Sequence, residues 1–461
     1  MLSLSRSWTA LRRAARGSFV PMAPAVLLVV SFCAALAVSS NEAHAMKIQQ
    51  VKSPGGISAW LVEEHGVPLL ALRFAFDGGN AQDPPGKEGV ANFISAMLDE
   101  GAGELRSQQY QERMEELALR MSYEDSRDAM YGSFETLTAN RDQAADMLRL
   151  AVTQPRFDAD AVERVRAQLL ANLAYAARDP ERVAGERWSA QAFAGHAYGR
   201  AANGTAETIK AITRDDLEAY RRRTFAKDTL KVVAVGDIDA ATLGRMLDTV
   251  FGALPDKAQL TQVPDVVPKA SPLQQVIEMN VPQSVARFGL PAMARTDKDF
   301  IPAFVLNQIM GGGGFASRLM EEVREKRGLA YSVSSALQPL KHASLFIGGV
   351  ATKNEEIGQS LDVIRAQLKL MAEKGPTETE LANAKSYLVG SFALRFDTNG
   401  KIANQLLWIL MEGLGVQYVE TRNAQIEAVT MADVKRVARR LFEGDPIVTI
   451  VGKPKGLTDK G

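Results

Sequence analysis

Histidine and cysteine are almost missing from this sequence. Of its 461 residues, four are histidine and one is cysteine. The cysteine, Cys33, lies inside an apolar run from Ala25 to Val38. More apolar residues follow it, so it is not placed like a lipid-attachment cysteine at the end of such a run. Beyond residue 45 there is no thiol, which excludes a disulfide, a thiolate nucleophile and a Cys-ligated zinc there. The three remaining histidines, His65, His196 and His342, have no second histidine within four residues. Each reads as a surface or loop residue. An excess of charge is missing as well: 54 Lys and Arg face 54 Asp and Glu. With no basic patch, nucleic acid is not an expected partner. What remains, 46% apolar and 23% charged, is the composition of a soluble globular protein. The length allows two or three domains.

The N-terminus is a separate object. MLSLSRSWTALRRAARGSF carries four arginines and no acid. The apolar run follows, then SSNEAHA, whose Ala43-His44-Ala45 is an A-x-A pattern before Met46. This order predicts a secretory signal peptide over residues 1–45 and a periplasmic or otherwise exported protein. The run is too short for a comfortable membrane span, so no stable span is expected after cleavage. The Arg- and Ser-rich, acid-free start leaves an organelle transit peptide open as a rival, and an uncleaved anchor as a third reading. Removing residues 1–45 leaves a net charge of −3.

The rest of the chain repeats itself. IKAITRDDLEAYRRRTFAKDTLKVVAVGD, from Ile209, matches IEAVTMADVKRVARRLFEGDPIVTIVGKP, from Ile426, about 217 residues on. Each has a T-x-x-D capping box, Thr213 with Asp216 and Thr430 with Asp433, which starts a short basic helix. Each helix passes through a Phe, Phe225 or Phe442, and is followed by a β-branched run that reads as a buried strand. Upstream, LLALRFAFDGG pairs with SVARFGLPAM. MYGSFETLTANRDQAADMLRLAV pairs with LFIGGVATKNEEIGQSLDVIRAQL as strand, turn and amphipathic helix. An ordered series of matches argues for two copies of one α+β unit. Residues 256–272 are polar and Pro-rich and mark the join. The expected domains are therefore 46–258 and 272–455, with a linker at 259–271 and a tail at 456–461. Without a βαβ rhythm, each domain is expected to be a mainly antiparallel sheet packed against helices.

GVANFISAMLDEGAG, from Gly89, reads as an apolar helix with Asn92, Ser95 and Ala96 facing one way. Together with the preceding strand it resembles the pitrilysin/insulinase family, the inverted zinc peptidases. There the equivalent helix carries H-x-x-E-H in a setting of the kind G-[LV]-A-H-F-x-E-H-M-L. Two His at i and i+4 hold zinc, and the Glu is general base on the bound water. Gly89, Val90, Ala91, Phe93, Met97 and Leu98 match. Asn92, Ser95 and Ala96 stand where the family has His, Glu and His. The third ligand belongs to an E-E pair before a D-P turn. Anchoring on Asp179-Pro180 puts that pair at Ala171 and Asn172. The resemblance thus implies a degenerate zinc site, no metal in this chain and a fold in which two such domains form half of a clamshell.

MGGGGFASRLMEEVREKRGLAYSVSSAL spans residues 310–337. On its residues alone, the glycines end a helix, SRLMEEVREKR is an exposed charged helix, Gly328 caps it and Leu329 to Val333 begins a strand. No G-K-[ST] follows, so it is not a phosphate loop. Arg324 then reads as a solvated helix charge and Tyr331 as a strand core residue. The family pattern G-x-x-S-R-L-x-x-x-[VIL]-R, with a Tyr seven residues after its last Arg, gives them another role. It falls on Arg324 and Tyr331, with Ser317 and Arg318 also matching. The resemblance implies that Arg324 holds peptide carbonyls and that Tyr331 donates to the oxyanion of the attacked carbonyl.

This pattern implies a non-catalytic, substrate-binding subunit of a heterodimeric zinc metallopeptidase. Its partner would be a homologous H-x-x-E-H chain that carries the zinc, and its substrate a peptide or unfolded protein. The alternative is a peptide-binding scaffold with no enzymatic role, taking extended peptides by strand addition.

Overall fold

Apolar and alternating runs set two sheets. The computed structural model describes residues 46–270 and 273–459. The expected signal segment with Cys33, residues 271–272 at the end of the expected linker, and residues 460–461 lie outside the described residues. From Ile48 onward the chain is one compact unit. No described helix is long and apolar enough to cross a membrane.

The first sheet contains β1 (Gln49–Lys52), β2 (Ser58–Glu63) and β3 (Leu69–Asp77), then, after a small hairpin of β4 (Gly101–Ala102) and β5 (Leu105–Arg106), β6 (Arg120–Asp125), β7 (Ala129–Leu137) and β8 (Lys231–Gly236). Its order is β1-β2-β8-β3-β7-β6. The second sheet contains β9 (Gln274–Glu278), β10 (Gln283–Pro291), β11 (Ser332–Pro339), β12 (Ser344–Lys353) and β13 (Ile447–Gly452). Its order, β9-β13-β10-β12-β11, repeats β2-β8-β3-β7-β6 strand for strand. Among the described residues, only the β2–β8 and β9–β13 pairs are parallel. The remaining ladders are antiparallel, as expected for this α+β chain.

The repeat extends to packing. Phe74 faces Gly132 across β3 and β7, and Phe288 faces Gly348 across β10 and β12. Each ring lies over its glycine so closely that a Cβ there would come 2.1 Å from Phe74 Cζ or 2.2 Å from Phe288 Cζ. The capping boxes form too: Asp216 and Asp433 each accept the backbone N–H of their threonine, at 2.7 Å and 3.0 Å. These helices, Arg214–Thr224 and Met431–Leu441, end with Phe225 and Phe442 at their C-caps.

Both faces of each sheet are covered. Leu70, Leu72, Phe74 and Phe76 of β3 enter a core with Leu148, Leu247 and Phe251 from the helices of the same half. The opposite face of β3, Ala71, Arg73 and Ala75, receives helix Asn399–Met411 from the other half of the chain. Arg73 is buried there; it ion-pairs with Glu135 and its Nε donates to Asn404 Oδ1 at 2.7 Å. In return, helix Pro180–Ala192 crosses β10 and β13. Trp188 is its anchor. The ring occupies the space above Gly289, where a Cβ would come 2.4 Å from the indole, and Nε1 donates to the Ile447 carbonyl at 2.9 Å.

The segment joining the halves is strapped down. Gln82 exchanges two hydrogen bonds with the Thr261 backbone, at 2.7 and 2.9 Å. The Val266 N–H donates to the His342 carbonyl at 2.8 Å.

The helix expected from Gly89 is short, Val90–Ser95. Its start has no side-chain cap of its own. Asp83 does that work from a distance, accepting from the Gly89 N–H at 2.7 Å and the Ala91 N–H at 3.1 Å. Past Ser95 the chain turns, which buries Met97 and Leu98 completely and leads to Gly101 in β4 at φ 112°.

Two outcomes follow from this packing. Trp188→Ala should destabilise the chain by about 3–5 kcal/mol, the usual range for deleting a buried tryptophan, read from the urea midpoint at constant slope. A loss under about 1 kcal/mol would mean that Trp188 does not fasten the halves. Second, burial pushes Asp83 up to about 7, above its unfolded value of about 3.9. The stability this group contributes is full below the unfolded value and is lost as pH rises towards 7. Asp83→Asn should flatten that part of the stability profile between pH about 5 and 7; an unchanged slope would refute the assignment.

Candidate functional site

At the helix Val90–Ser95 and its end, each position at which the resemblance places a zinc group has another structural role. Asn92 is half-buried, and its Nδ2 donates to Asp125 Oδ1 at 3.2 Å. Asn80 Nδ2 donates to the other oxygen of the same carboxylate at 2.8 Å. Burial raises the Asp125 carboxyl from its ordinary range, and these two hydrogen bonds pull it partly back. Asp125 ends β6, the edge strand of the first sheet, so the amides tie helix to edge. Ser95 is buried, with its Oγ donating to the Asn92 carbonyl at 2.8 Å. Ala96 packs against the core. Ala171 and Asn172 lie exposed on helix Ala159–Ala176.

Zinc does not fit these residues. The Asn92 amide aims a donor, not a lone pair, at its neighbour; Ser95 is neutral; Ala96 has a methyl group. Among the described residues no group of three or more His, Cys, Asp or Glu could hold a metal ion. The histidines are elsewhere. His65 Nδ1 lies 2.7 Å from Asp237 Oδ1 on the surface. His196 Nδ1 accepts from the Tyr198 N–H at 3.1 Å, so its Nε2 carries the proton and donates to the Pro264 carbonyl at 2.9 Å. His342 Nδ1 lies 3.0 Å from Asp265 Oδ1. Two of the three therefore secure the joining segment.

In the second half, the glycine run links two wide π-helical turns, Gln308–Gly312 and Met320–Glu325. Ser317 is buried and closes the loop, its Oγ donating to the Gly314 carbonyl at 2.7 Å. Arg318 is a structural clamp. Its Nε and Nη2 grip Glu380 at 2.8 and 2.6 Å, and Glu380 in turn caps its own helix by accepting from the Thr377 N–H at 2.8 Å. The expected exposed helix is thus partly inward: Leu319, Met320 and Val323 are buried.

Arg324 and Tyr331 behave differently. Arg324 lies over the Phe315 ring, 4.7 Å from Cζ to centroid, and has only a long contact, 3.7 Å, to Glu325. Phe315 is itself 70% exposed. Tyr331 is 71% exposed, immediately before β11, the edge strand of the second sheet. A core position for Tyr331 is thereby excluded. Among the described residues neither side chain forms a hydrogen bond, and no hydrogen bond, ion pair or ring contact joins them to residues 92–96. Sequence reasoning missed Phe315, although an aromatic directly after four glycines is an unusual thing to expose.

Comparison with known proteins agrees with this geometry. Residues 61–206 match the family model described as insulinase (peptidase family M16), and residues 211–388 match that of the peptidase M16 inactive domain. The non-peptidase homologue YmxG of Helicobacter pylori is 28% identical over 372 residues, covering 81% of this chain and 86% of that protein. An uncharacterized zinc protease of Streptomyces coelicolor is 27% identical over 425 residues, covering 88% and 90%. A crystal structure of a peptidase M16 inactive domain from Pseudomonas fluorescens superposes with a TM-score of 0.83 at 28% identity, covering 90% of this chain and 99% of that one. With both halves matched in order by models of one family, the chain belongs to the insulinase family, peptidase family M16, as a degenerate member.

Proposed function

We propose that this chain is the non-catalytic, substrate-binding subunit of a heterodimeric zinc metallopeptidase. It lends Arg324 and Tyr331 to an active site whose zinc sits on a homologous partner. The observation that carries this reading is the contrast inside one segment. Ser317 and Arg318 are consumed by internal hydrogen bonds, whereas the exposed Tyr331 and the part-exposed Arg324, which lies over Phe315, make no side-chain hydrogen bond among the described residues. Leaving a phenol and a guanidinium without hydrogen-bond partners on a braced loop serves a ligand better than it serves the fold. The name of the Helicobacter relative, a non-peptidase homologue, supports the absence of catalysis in this chain alone.

The chemistry matches the residue types. A guanidinium fork positions peptide carbonyls, and a phenolic O–H donates to the oxygen that becomes negative as water attacks. β6 and β11 are edge strands, the kind of margin that an extended substrate joins by strand addition. The order of residues in the first 45 supports export, so the substrate would be an extracytoplasmic peptide or unfolded protein.

Purified alone, the chain should hold no stoichiometric zinc and cleave no peptide. Metal analysis that finds one tightly bound zinc per chain would sink this. In complex with a partner that has an intact H-x-x-E-H helix, Tyr331→Phe should lower kcat by about 10²–10³, the cost of one lost oxyanion donor. Assembly and partner zinc content should not change. Arg324→Ala should raise KM as well as lower kcat, because the fork also holds the ground state. Lys326→Ala, a neighbouring surface charge, is the control; Arg318 is unsuitable because it clamps Glu380. Full turnover by the Tyr331→Phe complex would leave the peptide-binding scaffold as the surviving reading.

A further inference from the structure

Without Arg324 or Tyr331 in its lining, one cavity combines aromatic walls with cationic donors. Its volume is about 380 Å³, within the size range of small-molecule sites. It lies between the end of β11 and the helices Phe300–Asn307, Asn399–Met411 and Tyr418–Glu427. Phe300, Phe304, Leu337, Phe392, Trp408 and Tyr418 supply the apolar wall. Arg295, Arg395 and Arg422 line it with a single acid, Glu412. Positive charge is therefore in excess.

The arginines are not equivalent. Arg422 Nη1 donates to the Leu388 carbonyl at 3.0 Å and to Asn423 Oδ1 at 2.9 Å. Arg295 lies between rings, its Cζ 4.3 Å from the centroid of Phe300, 5.2 Å from Tyr418 and 5.7 Å from Trp408. Its Nε and Nη2 are buried and have no hydrogen-bond acceptor. Glu412 is near enough to sense that charge but forms no ion pair with it among the described residues.

Nε–H and Nη2–H form one edge of a guanidinium, two parallel donors spaced for the two oxygens of a carboxylate. At three other arginines of this chain that edge takes a carboxylate. Arg318 holds Glu380 this way at 2.8 and 2.6 Å, Arg156 holds Asp158 at 2.7 and 3.2 Å, and Arg221 holds Glu218 at 2.9 and 2.7 Å. Arg295 presents the same edge among aromatic rings, where unpaired donors are costly.

We infer that this cavity binds an apolar monocarboxylate. Its oxygens sit on Nε and Nη2 of Arg295, and its aromatic or branched body packs against the ring wall. A free aromatic acid and the C-terminal residue of a peptide share this chemistry. The inference does not depend on a partner chain or on Arg324 and Tyr331.

Of the four tryptophans, Trp408 lines the cavity and is 40% exposed, so the part of a fluorescence change that Trp408→Phe removes reports on the cavity. The full chain is titrated with 3-phenylpropionate, N-acetyl-phenylalanine and N-acetyl-phenylalaninamide to millimolar concentration. Both carboxylates, or one of them, should give a saturable change that Trp408→Phe abolishes. The amide should bind at least about tenfold more weakly, since it cannot accept both N–H bonds as an anion. Arg295→Gln should erase that preference at an unchanged unfolding midpoint. Binding of 3-phenylpropionate alone identifies a free acid as the ligand; binding of N-acetyl-phenylalanine at least as tightly identifies a peptide C-terminus. No saturable change with either carboxylate, or equal affinity for the amide, overturns the proposal. Should Arg295→Gln fail to fold, the carboxylate–amide comparison on the unaltered chain decides alone.

Discussion

A sheet that is apolar on both faces must be covered on both. In each half of this chain, one face is covered by local helices and the other only by a helix from the opposite half. That need shapes the rest of the molecule. Ala71 and Ala75 leave room on β3 for helix Asn399–Met411, and Gly289 leaves room on β10 for Trp188. With the sheet centres occupied, only the margins stay available. Each sheet has two margins, β1 and β6 in the first and β9 and β11 in the second; β6 runs beside the helix Val90–Ser95 and β11 begins directly after Tyr331.

The β6 and β11 margins have diverged in opposite senses. At the first, the helix expected to carry zinc groups is held instead by an inward amide network in which Asn80 and Asn92 donate to Asp125. That arrangement supports the packing of a helix against a strand and leaves no coordination chemistry. At the second, Arg318 is bonded inward to Glu380, whereas Arg324 lies part-exposed over Phe315 and Tyr331 faces water. The same divergence separates Arg73 from Arg287, which occupy matching places on β3 and β10. Arg73 has Glu135 for a partner, while the place matching Glu135 on β12 is Ala351, and burial holds the Arg287 guanidinium below its usual range.

Much of this was legible because it is written locally. The T-x-x-D boxes at Thr213 and Thr430 show in four residues, and the apolar runs of β3, β8 and β13 show in six to nine. The degenerate helix was legible through its apolar flanks, although its length was not. Where it ends depends on the burial of Met97 and Leu98, a tertiary matter. Arg318 and Arg324 are indistinguishable in sequence; only Glu380, 62 positions after Arg318, makes a clamp of the first and leaves the second without a side-chain hydrogen bond among the described residues. The aromatic cavity left no signal, since its arginines and rings are drawn from four separated stretches between Arg295 and Arg422 and no short pattern joins them.

The strapped joining segment has a kinetic meaning. If the halves were separate chains, each would show a bare apolar sheet face and wait for a helix from the other. Closure would then be a second-order event governed by how often two molecules meet. Joining them makes it a unimolecular step at an effective concentration in the millimolar range typical of short tethers. Gln82, His196 and His342 also hold the tether along one path. Dilution therefore does not open the pair, and the exchange of helices persists however few copies of the chain are present.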